Sequence, residues 1–305
     1  MTHQGALSGS DQNTQATKPV WQTLRLPSVL RRLIREKPLG FWGGLLPIVL
    51  VVLLAVLARP IARVEPNHQD ADAILQGPSS AHWLGADENG RDVLARVAYG
   101  ARISLTVSFV SVAIGIGIAT IIGMVSGFFG GMVDTVIQRV IDILMAFPSF
   151  VLILLLAGLL GASERNTILA IALVLIAGAS RVVRGQVLYV KTNTYMEAAH
   201  VIGAGRTRIL LRHVFPNIFD VVVVICSINI GFAIITEAAL SFLGLGVPPP
   251  TPDWGSMVSG TSAAYLSQAP WIVAAAAIAL GVTVFAFNML GDALRDVLDP
   301  RLRGL

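Results

Sequence analysis

Charge is what this chain of 305 residues has little of. Asp, Glu, Lys and Arg together make up 13% of it, about half the share of an ordinary globular domain. Hydrophobic residues make up 54%, and the mean hydropathy is +0.73. That balance excludes a water-soluble enzyme and predicts a membrane protein. Lysine is scarcer still, confined to Lys18, Lys37 and Lys191, and glycine precedes none of them. A phosphate loop needs Gly, four residues, Gly-Lys and then Ser or Thr, so that backbone amides and one lysine cradle the phosphates. This chain therefore carries no such loop of its own. The lone cysteine, Cys226, lies inside an apolar run and excludes a disulfide framework or a thiol-rich metal cluster. There is no HExxH motif and no serine or cysteine nucleophile constellation, so a membrane enzyme lacks its catalytic residues. Glu197 and His200 have the Glu-x-x-His spacing of di-iron bundles, but the second such motif and the further carboxylates are missing. No metal site is expected, and the loop histidines His68 and His82 are too few to argue for nickel.

What the chain has instead is long apolar runs, beginning near Phe41, Ile103, Val136, Thr167, Val221 and Trp271. Each approaches the roughly 20 residues that cross a bilayer. The fold class is all-α and polytopic, with about six transmembrane helices. The chain divides into a tail at 1–38, a first span at 39–58, an external loop with an interfacial helix at 59–102, a core at 103–291 and a C-terminal tail at 292–305. Residues up to about 18 are polar and without apolar periodicity, as in disordered segments. The stretch VWQTLRLPSVLRRLIREKP alternates apolar and basic residues, which fits either a helix on the inner membrane surface or an ordinary basic flank.

Basic residues mark the cytoplasmic side. The approach to the first span carries Lys18, Arg25, Arg31, Arg32, Arg35 and Lys37 against Asp11 and Glu36. Around the fourth run, Arg181, Arg184, Lys191, Arg206, Arg208 and Arg212 face Glu197 alone. Both segments belong inside. Between the first two spans the acids outnumber the arginines, and that segment fits the outside. The sequence pI near 9.6 reflects this topology, so no nucleic acid is invoked.

Several residues stand out within the runs. Gly115, Ala119, Gly123, Gly127 and Gly131 recur every four positions, a small-residue ladder that lets another helix approach closely in lipid. Pro148 predicts a kink near Met145 to Pro148, either lining a pathway or curving around neighbours. Asp142 follows Arg139 by one helical turn, which predicts an ion pair between them. Glu237 lies toward the outer end of the fifth run without a sequence-local partner, a candidate for a substrate amino terminus, an outer gate or an internal hydrogen bond. Asn229 and Asn288 either join helices or line the pathway. The prolines of GVPPPTPDWG predict a stiff external shelf carrying Asp253 and Trp254.

The basic segment at 191–217 is the most punctuated part of the chain. Thr194 followed by Glu197 predicts a capping box, and Gly203 is placed to close that helix in the left-handed region. Tyr195, Ala198, Ala199 and Ile202 share one face at helical spacing. A second short helix, RTRILLRHVF, is expected to end at Pro216, where the chain turns back into the membrane. So short a helix, apolar on one side, needs something to pack against: the protein's own spans or a cytosolic partner.

Glu197, Ala198, Ala199, three residues, Gly203, then nine residues before a terminal element ending in Pro216 resembles the EAA signature of permease subunits in ATP-binding-cassette importers. The last element departs from it, with His213 in a hydrophobic position and Phe215 in place of leucine. LGADENGRDVLARVAYGARISL, ALSFLGLGVPPPTPDWGSMV and AFNMLGDALRDVLDPRLRG, in that order, are similar to the C-type permease subunits of dipeptide, oligopeptide, glutathione and nickel importers. The likeness covers about residues 25–305. It implies the type I importer permease fold and a multi-pass place in a bacterial or archaeal cytoplasmic membrane, with both termini inside. It also implies a homologous B-type permease partner, two cytosolic ATP-binding subunits and an external substrate-binding protein. ATP and magnesium are then used by those partner subunits, and no cofactor is bound by this chain. Glu197, Ala198, Ala199, Gly203, Gly205 and Pro216 become the ATPase-coupling residues. Glu237, Asn229, Pro148 and Asn288 become pathway or gate candidates. Peptides are the expected cargo, with glutathione or nickel as alternatives. An ion-coupled carrier is the rival of another class, although the repeated halves common in such carriers are not visible.

Overall fold

The computed structural model describes residues 33–259, 262 and 264–298. The N-terminal tail, most of its basic approach and the last seven residues lie outside them, as does the side chain of His200. The described chain is helical, with one isolated bridge between Ala86 and Asp92. In chain order the helices are α1 (Pro38–Val56), α2 (Ala58–Ala62), α3 (Val93–Phe129), α4 (Gly131–Met145), α5 (Ser149–Leu160), α6 (Glu164–Lys191), α7 (Thr194–Val201), α8 (Arg206–Ile209), α9 (Phe215–Phe242), α10 (Trp254–Val258) and α11 (Pro270–Leu298). Five helical stretches are long and apolar enough to cross a membrane, and α4 with α5 reaches that length and hydropathy only as a pair bent at the break between them.

The first correction concerns α3. The sequence predicts a short interfacial helix leading into a span that starts near 103; the two are one helix that runs unbroken for 37 residues, about 55 Å at 1.5 Å per residue. Its start is set by Asp92, whose carboxylate accepts from the Ala95 amide at 2.8 Å while also meeting His82 Nδ1 at 2.9 Å. Gly100 does not break the helix because Asp253 and Trp254 press against it. The α3 helix therefore outruns a hydrocarbon layer about 30 Å thick. Its outer turns are built into the loop, where Asp87 holds Arg91 at 2.7 Å and Trp254 donates to the Val97 carbonyl at 3.1 Å. Trp254 is fully buried, so it anchors the expected shelf internally and is not displayed on it.

Helices α3 and α6 form the central contact. A Cβ on Gly115 would lie 2.9 Å from the Ala172 oxygen, one on Gly123 2.6 Å from the Ser180 oxygen, and one on Gly127 2.9 Å from Val187 Cβ. The period-four ladder thus faces α6, with Ala119 buried between its rungs. Gly131 is not a rung. It opens α4 at φ +53° with nothing within 4 Å of a Cβ, because the chain has already turned at Gly130, the residue that ends α3.

The expected kink at Pro148 is larger than a kink. The axes of α4 and α5 differ by 84° across the break, and Pro148 sits at the N-cap of α5. Helix α11 continues through Gly291 to Leu298, so the tail expected from 292 is helical where described. It packs on α1, where Lys37 meets Asp296 at 2.9 Å.

Candidate functional site

The segment 191–217 forms an elbow fastened to the inner ends of α3 and α6. Lys191 donates to the last carbonyls of α3, Gly127 at 3.2 Å and Phe128 at 2.9 Å. Those carbonyls have no helical partner of their own, and a cation suits the negative end of the helix dipole. Helix α7 begins at Thr194, which makes Asn193 the N-cap position. The expected Thr194–Glu197 capping box is thus one residue out of register, and no hydrogen bond joins the two residues. Its other end matches the expectation: Gly203 has φ +75°, and the Ala204 amide bonds back to the Ala199 carbonyl at 3.1 Å. That six-to-one bond across a left-handed glycine is a Schellman closure. Gly205, at φ −61°, is in a conformation open to any residue.

The buried face of α7 is also not the expected one. Met196 and Ala199 pack among Val183, Val187, Ile209 and Ile218, leaving Ala198 and Glu197 exposed. Val201 is 86% exposed and Ile202 82%, with Tyr195 beside them at 39%. Burial of part of its ring pushes the Tyr195 phenol above its ordinary pKa, so it stays a neutral donor. The elbow thus offers a small apolar surface bordered by the exposed cations Arg206, Arg208 and Arg212.

No break occurs at Pro216. A π-helical turn over Leu210–Val214 joins α8 to α9, and the Phe215 amide reaches the Leu210 carbonyl. Pro216, in the first turn of α9, lacks an amide to place, and the Asn217 side chain donates to the His213 carbonyl at 2.6 Å. The wide turn absorbs the proline, so the second half of the elbow and the fifth span form one continuous helical stretch, Arg206–Phe242.

Ion pairs brace the same inner side. Asp142 pairs with Arg181 of α6, not with Arg139 as sequence spacing suggests. Arg184 clasps Asp134 through two bonds of 2.6 Å, and Ser126 donates to the same carboxylate. Helix α4 is thereby tied to α3 and α6, while Val136, Val140 and Ile143 form an uncovered apolar stripe along it.

The four pathway candidates do not converge. Pro148 is exposed in the α4–α5 break. Asn229 donates to the Ile225 carbonyl of its own helix at 2.8 Å. Asn288 of α11 presses its Oδ1 against Gly231 of α9, where a Cβ would come within 2.7 Å, so it joins two helices. Glu237 is fully buried, accepting from Ser241 at 3.3 Å. A separate apolar cavity of about 450 Å³ opens among α5, α9, α10 and α11, walled by Phe150, Ile235, Phe242, Val258 and Leu280. None of the four lines it. The Asp142–Arg181 pair is the feature that sequence reasoning missed, because the two residues come together only in three dimensions.

Comparison with known proteins bears on the whole chain. Residues 119–304 match the family described as binding-protein-dependent transport system inner membrane component. The chain is 40% identical over 274 residues to the glutathione transport system permease protein GsiD of Pectobacterium atrosepticum, covering 90% of each. It is 42% identical over 258 residues to the GsiD proteins of Escherichia coli O157:H7 and Shigella sonnei, covering 84% of this chain and 85% of theirs.

Proposed function

The chain belongs to the family of inner membrane components of binding-protein-dependent transport systems, and from that premise we propose that it imports short peptides, glutathione among them, in a complex driven by separate ATPase subunits. The observation that carries this reading is the elbow. An exposed apolar tip, Tyr195, Val201 and Ile202, rimmed by arginines, is attached through Ile209 and the π turn to a membrane-crossing helix.

In this mechanism the tip seats in a groove of a cytosolic ATP-binding subunit, with ATP and magnesium used there. Closure of two such subunits moves two elbows, this chain's and that of a homologous permease. The stripe on α4 is of the right chemistry to meet that second permease. An external binding protein delivers cargo to the opposite side, and both termini lie in the cytoplasm. Nucleotide state then shifts the balance between inward- and outward-open passages, and this chain does no covalent chemistry.

The names of the relatives favour glutathione as the first cargo to test, and glutathione is itself a short peptide. In cells lacking the gene, uptake of labelled glutathione or of a labelled dipeptide is expected to fall to background and to return with the intact copy. Loss of nickel uptake alone would overturn the cargo assignment. Uptake that survives loss of the ATPase subunits but collapses with the proton gradient would favour the ion-coupled carrier.

A further inference from the structure

An ionisable side chain at the depth of the lipid chains faces the protein interior or water, and such residues mark substrate pathways. Arg181 is one. It lies in the 28-residue helix α6, about 42 Å long, roughly 25 Å from the outer end and 15 Å from the inner one at 1.5 Å per residue. A hydrocarbon layer about 30 Å thick therefore includes Arg181 wherever it sits along this helix. Asp142 of α4, bonded to Arg181, shares that depth. Yet the pair is not sealed: the Asp142 side chain is 45% exposed and that of Arg181 43%. Lipid does not lie against so much charge.

The surroundings are open as well. Gly178 and Gly185 flank Arg181 on one face of α6, and a Cβ on either would meet nothing within 4 Å. A cavity of about 100 Å³, large enough for water, opens between α6 and the α4–α5 break, walled by Leu144, Phe147, Ser149, Val174 and Gly178. It reaches both helices of the pair, since Gly178 is one turn from Arg181 and Leu144 comes just after Asp142. Arg139 adds a third charge. It precedes Asp142 by one turn, which puts the two side chains within reach of one ligand. It is exposed and makes no bond among the described residues. The uncovered stripe of Val136, Val140 and Ile143 lies on a different side of α4 from Asp142, which is turned to α6. A second permease seated on that stripe leaves the charges at its edge, facing the space between the chains.

We propose that Arg139, Asp142 and Arg181 form a binding station for zwitterionic cargo in the passage, the guanidiniums taking carboxylates and Asp142 taking the ammonium group. The inference rests on the peptide-import reading and deepens it. Without cargo, Asp142 and Arg181 satisfy each other. Cargo exchanges that bond for one to each of them, so no charge is left bare at this depth. Guanidinium groups suit carboxylates because they offer two parallel donors. Two cations and one anion match glutathione, which carries two carboxylates and one ammonium. A dipeptide with uncharged side chains leaves Arg139 unused. A mere brace between helices needs the Asp142–Arg181 bond and no third cation.

The test is uptake into vesicles carrying the whole complex, with binding protein and cargo both saturating, for labelled glutathione and labelled dialanine. Arg139→Gln lowers glutathione uptake by about tenfold, the weight of one charge-assisted pair, and leaves dialanine within about twofold. Asp142→Asn and Arg181→Gln lower both. The binding protein is the same in every sample, so a changed preference belongs to this chain. Water access is read separately on Gly178→Cys in a Cys226→Ala background: a charged, water-soluble thiol reagent labels it, and S-methyl glutathione slows the labelling. Unchanged glutathione uptake by Arg139→Gln overturns the proposal, as does an equal fall for both cargos. So does a Gly178→Cys that stays unlabelled, because lipid or the second permease then covers that face. An unmodified complex that carries neither cargo defeats the importer reading and the station with it, and that result is seen before any variant is compared.

Discussion

Gly203→Val is expected to cut uptake by about tenfold or more while the chain stays in the membrane at normal abundance. The reason is local. Gly203 holds φ +75°, a region that a β-branched residue enters only at a cost of about 1–3 kcal/mol. Nothing lies within 4 Å of a Cβ there, so the penalty is backbone strain and not a clash with the core. The chain relieves it by unwinding the last turn of α7, which breaks the Ala204 to Ala199 bond and displaces Val201 and Ile202. A displacement worth that energy shifts a docking equilibrium by roughly ten- to a hundredfold. Gly205→Val, at φ −61° with equally open surroundings, is the matched control and should transport nearly normally. Uptake, ATP hydrolysis and membrane abundance measured together separate uncoupling from misfolding. Normal uptake by Gly203→Val would remove the elbow from the mechanism.

Gly123→Leu should have the larger effect on stability. Its Cβ alone would stand 2.6 Å from the Ser180 oxygen and 2.7 Å from Val183 Cβ, both on α6. The backbone oxygen cannot rotate away, so α3 and α6 must separate along the contact that organises the bundle. Overpacking of this kind costs about 1–3 kcal/mol or more, and it also parts the neighbouring rungs at Gly115 and Gly127. Gly117→Leu lies on the same helix with nothing within 4 Å of its Cβ and should be tolerated. The thermal midpoint of the purified complex, or the amount of folded chain in the membrane, measures the difference. Equal behaviour of the two variants would mean that the ladder does not set the helix spacing.

Features fixed by local chemistry were legible in the residues. Apolar runs gave the spans, because the bilayer demands length and hydropathy from each helix separately. The ladder from Gly115 to Gly127 was visible because small residues at period four have one structural use in lipid, and Gly203 because a left-handed closure favours glycine. What depends on a distant part of the chain was not legible. Asp142 finds Arg181, thirty-nine residues away, in preference to the nearby Arg139. Trp254 is buried by the outer turns of α3, which no local pattern announces. Pro216 looked like a terminator because proline usually is one, but a π turn upstream removes the conflict. The start of α3 could have been found: Asp92 stands immediately before the apolar periodicity and is a favoured N-cap type. The face of α7 was misjudged because Met196, which fills the gap between α6 and the π turn, lies off the expected stripe.

The most direct measurement of the central claim is cross-linking from the elbow tip. Ile202, 82% exposed at the end of α7, is replaced by cysteine in the assembled complex and treated with a short bifunctional reagent, with Phe285→Cys, 62% exposed in the middle of α11, as the comparison. A cross-link from Ile202→Cys to the ATP-binding subunit, its yield changed by ATP and absent from Phe285→Cys, is the predicted result. An intact complex in which Ile202→Cys never reaches that subunit, with or without ATP, would contradict the account.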